Sequence, residues 1–595
     1  MSADGDAALF GVVRSLTGQR WRARPCDERA ASLLAQRLGL PDLLARLLTQ
    51  RGIDLDSAEG FLSPRLRDVL PEPYCLKDMK RAVDRLAEAV RDGEAVAVFG
   101  DYDVDGATSA ALLVRFFRAL GQEIRVYIPD RLKEGYGPNA AALEGLAAEG
   151  VRLVVAVDCG TTAFEPLAAA KAAGLEVLVV DHHVAEAALP DALAVVNPNR
   201  LDDDSGVGSL AAVGVLYLLL IALNRTLRQS GYYESGRVEP PLLKWLDLVA
   251  LGTVADVAPL SGLNRVLVAQ GLKVLSAREN LGLAALLQIS GQSGAVTAGQ
   301  LGFHLGPRVN AGGRVGCAGL GTRLLTAEDP FEAQGLAQDL DRLNRERQDI
   351  EAAVLADALA ILEAEPPSKG MIVVAGEAWH PGVIGIVAAR LRERFGLPAL
   401  VIALAGAEGK GSARSIPGLD LGALVLRARA ERLLINGGGH RMAAGLTVAR
   451  GALADLTDFL RCETARRLAE IGYRPTLDID LPLSGAAATA ALVDSCQHLS
   501  PFGVGNPQPR FALRALRLAQ VDIMAERHLR LRVENDQGGS LRAVCFRALD
   551  GPLGEALIAA RGRRLHLAGK LERDAWRGGE AVQLVLEDAA EVAGA

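Results

Sequence analysis

Three aspartates at a spacing of two residues stand out in the segment Gly100-Asp-Tyr-Asp-Val-Asp-Gly106. The preceding apolar run, residues 95–99, predicts a short buried strand, so Asp101, Asp103 and Asp105 would occupy the loop that follows it. Carboxylates this close repel one another unless a cation lies between them. The spacing therefore predicts a metal-binding loop at the end of a strand.

Two further predicted strands end in possible metal ligands. One runs into Asp158, and the next runs into Asp181, His182 and His183. In an open parallel sheet, ligands bind at the carboxyl ends of the strands, so these ends should converge with Asp256, which follows a later apolar run. Asp158 is the expected bridging ligand, because its strand lies between the other two in the inferred order.

The ligand types indicate the metal and its chemistry. Oxygen-rich ligation with one or two imidazoles suits Mn²⁺ or Mg²⁺ better than zinc. Two such ions ~3.5–4 Å apart could activate water and hold both the attacking and the leaving oxygen of a phosphoryl displacement. The set therefore predicts a site for two divalent ions that hydrolyses a phosphate ester.

Each member of this set also has an ordinary structural explanation. A single Asp-x-Asp is usually a solvated turn, and a histidine pair after a strand is more often structural than metal-binding. Asp158 could cap a helix that begins near Thr161 and Thr162. Three strand ends that all finish in acids or histidines are nevertheless hard to assign to caps, which favours the metal interpretation.

The composition is that of a multidomain globular protein. A chain of 595 residues, 50% apolar and 23% charged, is too long for one core, which predicts about three to five domains. The net charge of −7 does not indicate a nucleic-acid binder, although local basic patches keep that possibility open. Seven scattered cysteines without a Cys-x-x-Cys pair suit a reducing cytosol and argue against structural zinc.

Signals for export or membrane insertion are absent from the sequence pattern. The N-terminus has no basic-then-apolar leader, so no secretion signal is expected. The most apolar run, residues 210–223, is about 14 residues long, whereas ~20 are needed to span a bilayer. We therefore expect a buried helix there, no membrane contact and a cytoplasmic protein.

Changes of pattern along the chain predict a multidomain α/β fold. Strands near 95–99, 124–128, 153–157 and 177–180 alternate with alanine-rich helical patterns, which is typical of a parallel sheet. A helix of roughly 35 residues, or ~50 Å, follows as a connector, and then come a second α/β region and short alternating strands typical of a small barrel. The predicted domains are 1–72 (a helical extension), 73–329 (the parallel sheet), 330–368 (the connecting helix), 369–466 (the second α/β domain) and 467–595 (the barrel).

Four motifs, in order along the chain, resemble those of the DHH phosphoesterase superfamily. They are Asp101-Tyr-Asp-Val-Asp-Gly106, Val157-Asp-Cys-Gly160, Asp181-His182-His183 and Gly252-Thr-Val-Ala-Asp-Val257. Segments 130–137, 306–314, 379–385, 437–441 and 501–507 are similar to those of the superfamily's bacterial single-stranded-DNA exonucleases. The resemblance extends from about residue 70 to the C-terminus.

The resemblance implies both an architecture and an activity. The architecture is a DHH domain, a connecting helix, a DHHA1 domain and an OB-like domain around a cleft. The activity is metal-dependent hydrolysis of single-stranded DNA from the 5′ end to mononucleotides, in DNA repair and recombination. A hydroxide held by two Mn²⁺ or Mg²⁺ ions would attack the scissile phosphorus.

Roles carried over from the superfamily fall on the same residues. The metal ligands would be Asp103, Asp105, Asp158, His182 and Asp256. His183 would orient His182 or contact phosphate, and Asp181 could be the partner that fixes a histidine tautomer. In several relatives a histidine stands near Phe99, which cannot coordinate a metal, so Asp101 or water would take its place.

Substrate contacts are expected from basic and glycine-rich segments of the resembling motifs. The candidate residues are Arg131, Arg308, Arg314, His380, Arg414, Ser415, Gly438, Gly439 and His440. Arginine binds phosphate through two hydrogen bonds, and glycines let backbone amides approach an anion, so the last five would line a 5′-phosphate pocket. The alternatives are that the glycine run is a flexible turn and that His380 is a core histidine.

The predicted barrel is rich in arginine. Its arginines include Arg510, Arg514, Arg517, Arg527, Arg530, Arg532, Arg542 and Arg547. An OB-type surface binds single strands through charge and base stacking, and Phe511, Phe546 and Trp576 are the candidate stacking residues. With so few aromatics, charge is expected to contribute more than stacking, and ordinary solvated positions are the alternative for part of the arginines.

Two other functions fit parts of the same sequence. A DHH enzyme acting on short oligonucleotides, cyclic dinucleotides or pyrophosphate would be shorter and would lack the OB-like segment. A non-catalytic replication scaffold would have lost metal ligands that are present here. The expected partners are single-stranded DNA and, by analogy with the family alone, a helicase and a single-strand-binding protein, with the chain itself a monomer.

Overall fold

The computed structural model describes residues 7–592, apart from 132, 235, 293, 368, 369, 537, 575 and 576. The strands are β1 (Arg20–Ala23), β2 (Val96–Gly100), β3 (Arg125–Tyr127), β4 (Leu153–Val157), β5 (Glu176–Val180), β6 (Ala194–Val196), β7 (Ile372–Glu377), β8 (Ala399–Ala405), β9 (Glu408–Arg414), β10 (Asn436–Gly439), β11 (Ala443–Ala449), β12 (Thr476–Ile479), β13 (Leu481–Leu483), β14 (Phe511–Met524), β15 (His528–Glu534), β16 (Ser540–Cys545), β17 (Arg564–Arg573) and β18 (Val582–Glu591).

Helices connect and cover these strands. They are α1 (Glu28–Leu38), α2 (Asp42–Thr49), α3 (Leu55–Leu62), α4 (Leu66–Val69), α5 (Met79–Asp92), α6 (Val104–Ala119), α7 (Ala140–Ala148), α8 (Phe164–Ala172), α9 (Ala212–Gln229), α10 (Leu246–Ala255), α11 (Gly262–Ser276), α12 (Leu281–Ile289), α13 (Ala298–Gln300), α14 (Gly306–Val315), α15 (Leu320–Leu325), α16 (Pro330–Ala364), α17 (Ile384–Phe395), α18 (Leu421–Ala430), α19 (Leu453–Glu470), α20 (Ala490–Gln497) and α21 (Pro552–Ala559).

The chain forms two compact units. The parallel-sheet unit comprises Glu59–Arg347 and Ser500–Pro507, and the barrel-containing unit comprises Met1–Ala58, Gln348–Leu499 and Gln508–Ala595. The 35-residue helix α16 supplies its first part to the parallel-sheet unit and its remainder to the barrel-containing unit. The long connecting helix is therefore confirmed.

The parallel-sheet unit is built on five parallel strands in the order β3-β2-β4-β5-β6. Every residue of β2 and β4 is buried, which explains why these strands are continuous apolar runs rather than alternating ones. The order confirms that β4 lies between β2 and β5. The strand ends that carry acids and histidines consequently lie side by side.

Apolar helices complete the core of this unit. Helix α9 contains the most apolar run of the chain and is buried along most of its length, as predicted, and α10 packs against it. Within the described residues, no helix is both long enough and apolar enough to cross a membrane. The burial of α9 is relevant to the site, because its N-terminus points at a candidate metal ligand.

The barrel-containing unit holds the other two large sheets. The second α/β region has a mixed sheet in the order β10-β11-β9-β8-β7. The C-terminal strands β14, β15, β16, β18 and β17 pair in that order, and β17 pairs back with β14, which closes a five-stranded barrel. The predicted fold class is thereby confirmed, including its small C-terminal barrel.

The N-terminal region contains a strand that the sequence pattern did not indicate. Residues 1–72 were expected to be helical, but β1 pairs in parallel with β12. Trp21 in β1 is fully buried, and its indole Nε1–H donates to Asp588 in β18 at 2.8 Å. A four-residue strand between polar loops has too short an alternating pattern to be recognised without its partner.

Candidate metal centre

The carboxyl ends of β2, β4 and β5 bring the predicted residues to one edge of the sheet. Each strand is followed directly by an aspartate: Asp101 after β2, Asp158 after β4 and Asp181 after β5. All three carboxylates are 3% exposed or less. Parallel register places them side by side, because Gly100 pairs with Val157, which continues the ladder toward both loops.

His182 lies at the centre of the cluster. Its Nε2 is 3.3 Å from Asp158 Oδ1, 3.8 Å from Asp105 Oδ2 and 3.9 Å from Asp256 Oδ2. Asp256, at the end of α10, therefore joins the strand-end residues although it comes from a helix far along the chain. This single imidazole nitrogen faces three carboxylates from three different elements.

Three groups of side chains bring possible ligand atoms within 4.8 Å of one another. They are Asp101 with Asp103 and Asp158, Asp105 with His182 and Asp256, and Asp158 with His182 and His183. Asp158 belongs to two of the groups. Asp158 links the first group to the third, and His182 links the third to the second, so the groups adjoin one another as two neighbouring divalent ions require.

The loop after β2 is shaped by short local contacts. Asp103 caps α6, and its carboxylate accepts hydrogen bonds from the backbone of Asp105 (2.9 Å) and Gly106 (3.1 Å). A Cβ at Gly106 would lie 2.3 Å from the carbonyl oxygen of Asp101. Only glycine therefore lets the loop turn tightly enough to hold Asp101 and Asp103 on the same side.

The N-terminus of α9 holds the carboxylate of Asp105. The backbone N–H of Ala212 donates to Oδ2 at 2.7 Å, and that of Val213 donates to Oδ1 at 3.0 Å. A helix N-terminus presents unpaired amides and a partial positive charge, which favour the ionised form of the acid. The N-terminus of this apolar helix thus binds a carboxylate of the site, which the helix sequence did not indicate.

Asp158 adopts a left-handed backbone conformation with φ of +60°. Its side chain does not cap the next helix, because α8 begins at Phe164 with Ala163 in the capping position. The capping alternative is therefore wrong. Such a conformation in an aspartate held between two buried strands is typical of functional sites.

Burial and mutual repulsion set the electrostatics of the cluster. Burial, with the neighbouring carboxylates, raises the pKa of Asp101, Asp105 and Asp158 well above the ordinary value. Burial and the charge of Asp103 raise the pKa of Asp256 to about 7. Burial and the charge of His183 lower the pKa of His182 to about 4, so His182 is neutral and its nitrogen can bind a metal.

Asp181 supports His183 rather than His182. Its Oδ1 lies 2.8 Å from Nδ1 of His183, and the same carboxylate accepts backbone hydrogen bonds from His182 and Thr161. Although burial opposes it, this contact raises the pKa of His183 to about 9. The hydroxyl of Tyr136 lies 3.3 Å from the same imidazole. Asp181 therefore favours the protonated form of His183, and a role in fixing a tautomer of His182 stays a prediction.

Two buried atoms of the cluster lack a hydrogen-bond partner. They are Oδ1 of Asp101 and Nε2 of His182. Unsatisfied polar atoms in a buried site call for an ion or a water, and a divalent cation would also relieve the repulsion among the carboxylates. Phe99 is fully buried and stacks on Tyr127 with 5.2 Å between ring centroids, and it has no atom that can bind a metal. Asp101 is the nearby side chain that can bind a metal in its place.

Comparisons with known proteins give matches over nearly the whole chain. Sequence models of the DHH family N-terminal domain, the DHHA1 domain and the RecJ OB domain match residues 95–253, 368–464 and 479–588. The chain is 37% identical to the single-stranded-DNA-specific exonuclease RecJ of Salmonella typhimurium, over 95% of this chain and 98% of that protein. It is 35% identical to RecJ of Bacillus subtilis, over 96% of this chain and 71% of that protein.

This chain belongs to the RecJ family. The fold comparison agrees with the sequence comparison: the crystal structure of Thermus thermophilus RecJ in complex with Mn²⁺ matches with a TM-score of 0.78 and 31% identity, covering 95% of this chain and 78% of that one.

Basic side chains of this RecJ-family chain lie beside the metal-site loop. Helix α14 approaches it closely, since a Cβ at Gly313 would be 2.6 Å from the carbonyl oxygen of Tyr102. Burial and the charges of Arg131 and Arg347 lower the pKa of Arg314, on the same helix, to about 10. The guanidinium of Arg131 lies 4.8 Å from the centre of the Tyr102 ring. Arg314 and Arg131 therefore lie close to this loop, and their phosphate contacts stay predictions.

Arg308 is engaged differently. Its guanidinium forms an ion pair with Asp341 at 2.9 Å and donates to the carbonyl of His304 at 2.7 Å. These contacts hold α14 against α16. The structure thus gives Arg308 a structural partner, and a DNA contact by this residue stays a prediction.

The structure defines the surroundings of Arg414 and Ser415, two members of the predicted phosphate pocket. Arg414 donates to Oγ of Ser412 at 3.1 Å, and its Nη2 would lie 2.9 Å from a Cβ at Gly385, the second residue of α17. The hydroxyl of Ser415 is buried and donates to the carbonyl of Leu419 at 2.9 Å, so it does not face a ligand. Ser412 shares a strand face with Arg414, so a phosphate contact by Ser412 rather than by Ser415 is a prediction from this geometry.

The remaining members of that predicted pocket have defined local structure. Gly438 and Gly439 belong to the exposed edge strand β10, so the glycine run is not a flexible turn. His440 follows that strand, and its Nδ1 lies 3.4 Å from the backbone nitrogen of Met442. His380 accepts a hydrogen bond from the backbone of Gly382 at 3.0 Å in the loop before α17. Their phosphate contacts stay predictions.

The barrel arginines divide into two classes. Arg510, Arg517, Arg527, Arg532 and Arg542 form ion pairs with neighbouring carboxylates. Within the described residues, Arg514, Arg530 and Arg547 have no ion pair. Phe511 is buried, which corrects its assignment as a stacking residue, whereas Phe546 is 58% exposed. Trp576 lies outside the described residues.

Proposed function

We propose that this chain is a metal-dependent exonuclease that degrades single-stranded DNA from the 5′ end and releases mononucleotides. The observation that carries the proposal is the set of adjoining ligand groups that Asp158 and His182 connect, in a chain of the RecJ family. Solved RecJ structures contain Mn²⁺ or Mg²⁺, and the oxygen-rich groups here suit the same ions.

Each ligand group would hold one divalent ion. Asp101, Asp103 and Asp158 would bind one, and Asp105, His182 and Asp256 would bind the other. Asp158, whose Oδ1 lies 3.3 Å from Nε2 of His182, is the proposed bridging ligand. When bound, the ions supply an activated water and positive charge at the scissile phosphate. Asp101, or a water, would take the place of the histidine that several relatives have near the Phe99 position.

The protein's own groups would orient and stabilise the phosphate. His183 stays protonated through its contact with Asp181, so it can donate a hydrogen bond to a phosphate oxygen. Arg314 and Arg131, beside the Tyr102 loop, would add charge as the phosphorus gains a fifth oxygen. No serine or cysteine nucleophile is involved: Cys159 is a buried thiol next to Asp158.

A separate anion site would lie in the second α/β region. Arg414 lies over the first turn of α17 with Ser412 beside it, and both a guanidinium and a helix N-terminus favour an anion. We propose that this group, with His380 and the backbone of Gly438, Gly439 and His440, binds the 5′-phosphate. A fixed phosphate site would explain cleavage from an end rather than internally.

The proposal extends to the cellular setting. All seven cysteines are free thiols, which suits a cytoplasmic location. The proposed partner is single-stranded DNA, with a helicase and a single-strand-binding protein as further partners of a monomeric enzyme, by analogy with the family.

The test uses single-stranded DNA labelled at either end, incubated with Mn²⁺, Mg²⁺ or EDTA. Release of a labelled mononucleotide first from the 5′ end, abolished by EDTA and by Asp158→Asn but not by Asp339→Asn on the exposed face of α16, is the expected result. Cleavage of dinucleotides but not of long DNA would instead indicate a small-substrate DHH enzyme. Tight DNA binding without hydrolysis would indicate a scaffold.

A further inference from the structure

Val257 occupies a backbone conformation that glycine usually takes. Helix α10 ends with Asp256 as its C-cap, and Val257 follows with φ of +64°. The N–H of Val257 donates to the carbonyl of Val254 at 3.1 Å, and that of Ala258 donates to Thr253 at 3.2 Å. This pair of hydrogen bonds is the Schellman ending, whose left-handed position favours glycine.

Valine is a costly choice for this position. A β-branched side chain at positive φ is an outlier, because its γ-carbons crowd the backbone. Packing does not compensate, since the Val257 side chain is 62% exposed. Neither the backbone conformation nor burial therefore explains why a valine side chain is present. Glycine would fit the same backbone conformation without strain.

The location of Val257 suggests what the side chain contacts. It directly follows Asp256, a member of one ligand group. The π-helical turn Leu301–Leu305 packs against the same end of α10, because a Cβ at Gly302 would lie 3.5 Å from Val254. Phe303 in that turn is 82% exposed. Two exposed apolar side chains therefore accompany the helix end that delivers Asp256.

We propose that Val257 contacts substrate, packing against the nucleobase next to the scissile phosphate. The inference rests on the proposed function, since it requires single-stranded DNA at the metal centre. The face of an unpaired base is apolar and accessible, whereas in a duplex it is covered by its neighbours. An apolar contact here favours single strands, and Phe303 supplies a second one.

Val257→Gly separates this role from a structural one. Glycine relieves the strained conformation, so the melting temperature should rise by about 2–4 °C, while the KM for single-stranded DNA rises on the order of fivefold and kcat changes less than twofold. Val257→Ala should lie between the two in both respects. Stability and substrate affinity thus change in opposite directions, which a merely structural residue would not produce.

Arg278→Gly is the matched control. Arg278 occupies the equivalent position after α11. It has φ of +57°, and its backbone N–H donates to the carbonyl of Leu275 at 3.0 Å. Its replacement should leave KM unchanged. The second control is a substrate whose first three nucleotides lack bases: on it, wild type and Val257→Gly should have equal KM, since the contact is already lost.

Several outcomes would overturn the inference. An unchanged KM for Val257→Gly and Val257→Ala on normal DNA would remove the contact, and an equal penalty on the abasic substrate would show that no base is involved. A lower melting temperature for Val257→Gly would contradict the strain argument. Absence of hydrolysis by the wild type would instead contradict the proposed function itself, which keeps the two failures distinct.

Discussion

Asp181 illustrates how one buried carboxylate can serve a metal site without facing the metal. It is 1% exposed and uses its two oxygens for backbone amides and for Nδ1 of His183. The charge on His183 therefore depends on Asp181, because burial alone would make the imidazole neutral. A protonated histidine at the edge of the site is a phosphate ligand that remains charged at neutral pH.

Asp181→Asn should reduce kcat by about 10–100-fold, the usual effect of losing such a supporting partner. Without the carboxylate, the pKa of His183 falls below its present value of about 9, so the loss should be largest above pH 7 and smaller near pH 6. The measurement is kcat from pH 5.5 to 9. Asp191→Asn, which removes an exposed ion pair with Lys171, should have no effect. A loss of the same size at every pH would contradict this role for His183.

Metal binding should depend on pH through Asp256. Its pKa is about 7 without metal, compared with an ordinary value of 3.8. Between these values the folded protein binds more protons than the unfolded chain, so metal-free stability falls as the pH rises from about 4 to 7. A divalent ion must displace the proton, and its binding therefore strengthens over the same range.

The expected result is a Mn²⁺-induced increase in melting temperature that is larger at pH 8 than at pH 6. Thermal unfolding of EDTA-treated protein with and without Mn²⁺ measures it. Asp256→Asn should lose part of the pH dependence, because burial also raises the pKa of Asp101, Asp105 and Asp158, while Asp339→Asn retains all of it. A shift that is equal at both pH values would contradict the raised pKa.

At the scale of elements, the close approach of helices α6, α9 and α10 positions Asp105. Gly252 in α10 makes the approach possible, because a Cβ there would lie 2.4 Å from Oγ1 of Thr108 and 3.0 Å from Oδ1 of Asp105. The same packing lets the α9 amides reach the Asp105 carboxylate. The metal site is therefore held by helix packing as much as by the strand ends.

Gly252→Ala should destabilise the protein by about 1–3 kcal/mol, the usual cost of overpacking, and should weaken metal binding by displacing Asp105. Gly335→Ala is the matched substitution in α16, where an added Cβ meets nothing within 4 Å. It should instead stabilise by up to ~1 kcal/mol. Urea unfolding and Mn²⁺ titration of both variants measure these effects. Equal effects of the two substitutions would show that the packing around Gly252 is loose.

Strand periodicity and the strand-end residues were predictable because both depend on local sequence. The apolar runs at 95–99 and 153–157 predicted buried strands. The parallel strand order then predicted that Asp101, Asp158 and Asp181 lie at one edge of the sheet. Contacts across long sequence separations were not predictable. The hydrogen bonds from the α9 amides to Asp105, and the hydrogen bond from Arg414 to Ser412, depend on packing and strand orientation that no motif records.

At the scale of the whole molecule, the N-terminal segment belongs structurally with the C-terminal barrel. Trp21 is fully buried, and its indole satisfies Asp588, whose carboxylate is also buried. Phe10 stacks on His566 with 5.0 Å between ring centroids. Local sequence could not predict this association of the two chain ends, because β1 is short and its partner β12 is about 450 residues away.

Trp21→Ala should destabilise the barrel-containing unit by about 3–5 kcal/mol, since it opens a large cavity and removes one of the hydrogen bonds to the buried Asp588. Limited proteolysis should then cleave within residues 508–591 sooner than within 95–253. Val13→Ala, at a 72% exposed position, is the control and should change neither stability nor cleavage. Protection of the barrel in Trp21→Ala would show that it folds without the N-terminal segment.

We propose that two metal ions, held by the adjoining ligand groups around Asp158 and His182, carry out the hydrolysis of single-stranded DNA. The most direct measurement is a Mn²⁺ titration of EDTA-treated protein, in which bound ions and DNA hydrolysis are followed in the same samples. We expect the rate of DNA hydrolysis to rise as the second ion binds. The Asp158→Asn variant should bind ions weakly and remain inactive. Hydrolysis by metal-free protein, or full activity of Asp158→Asn, would contradict it.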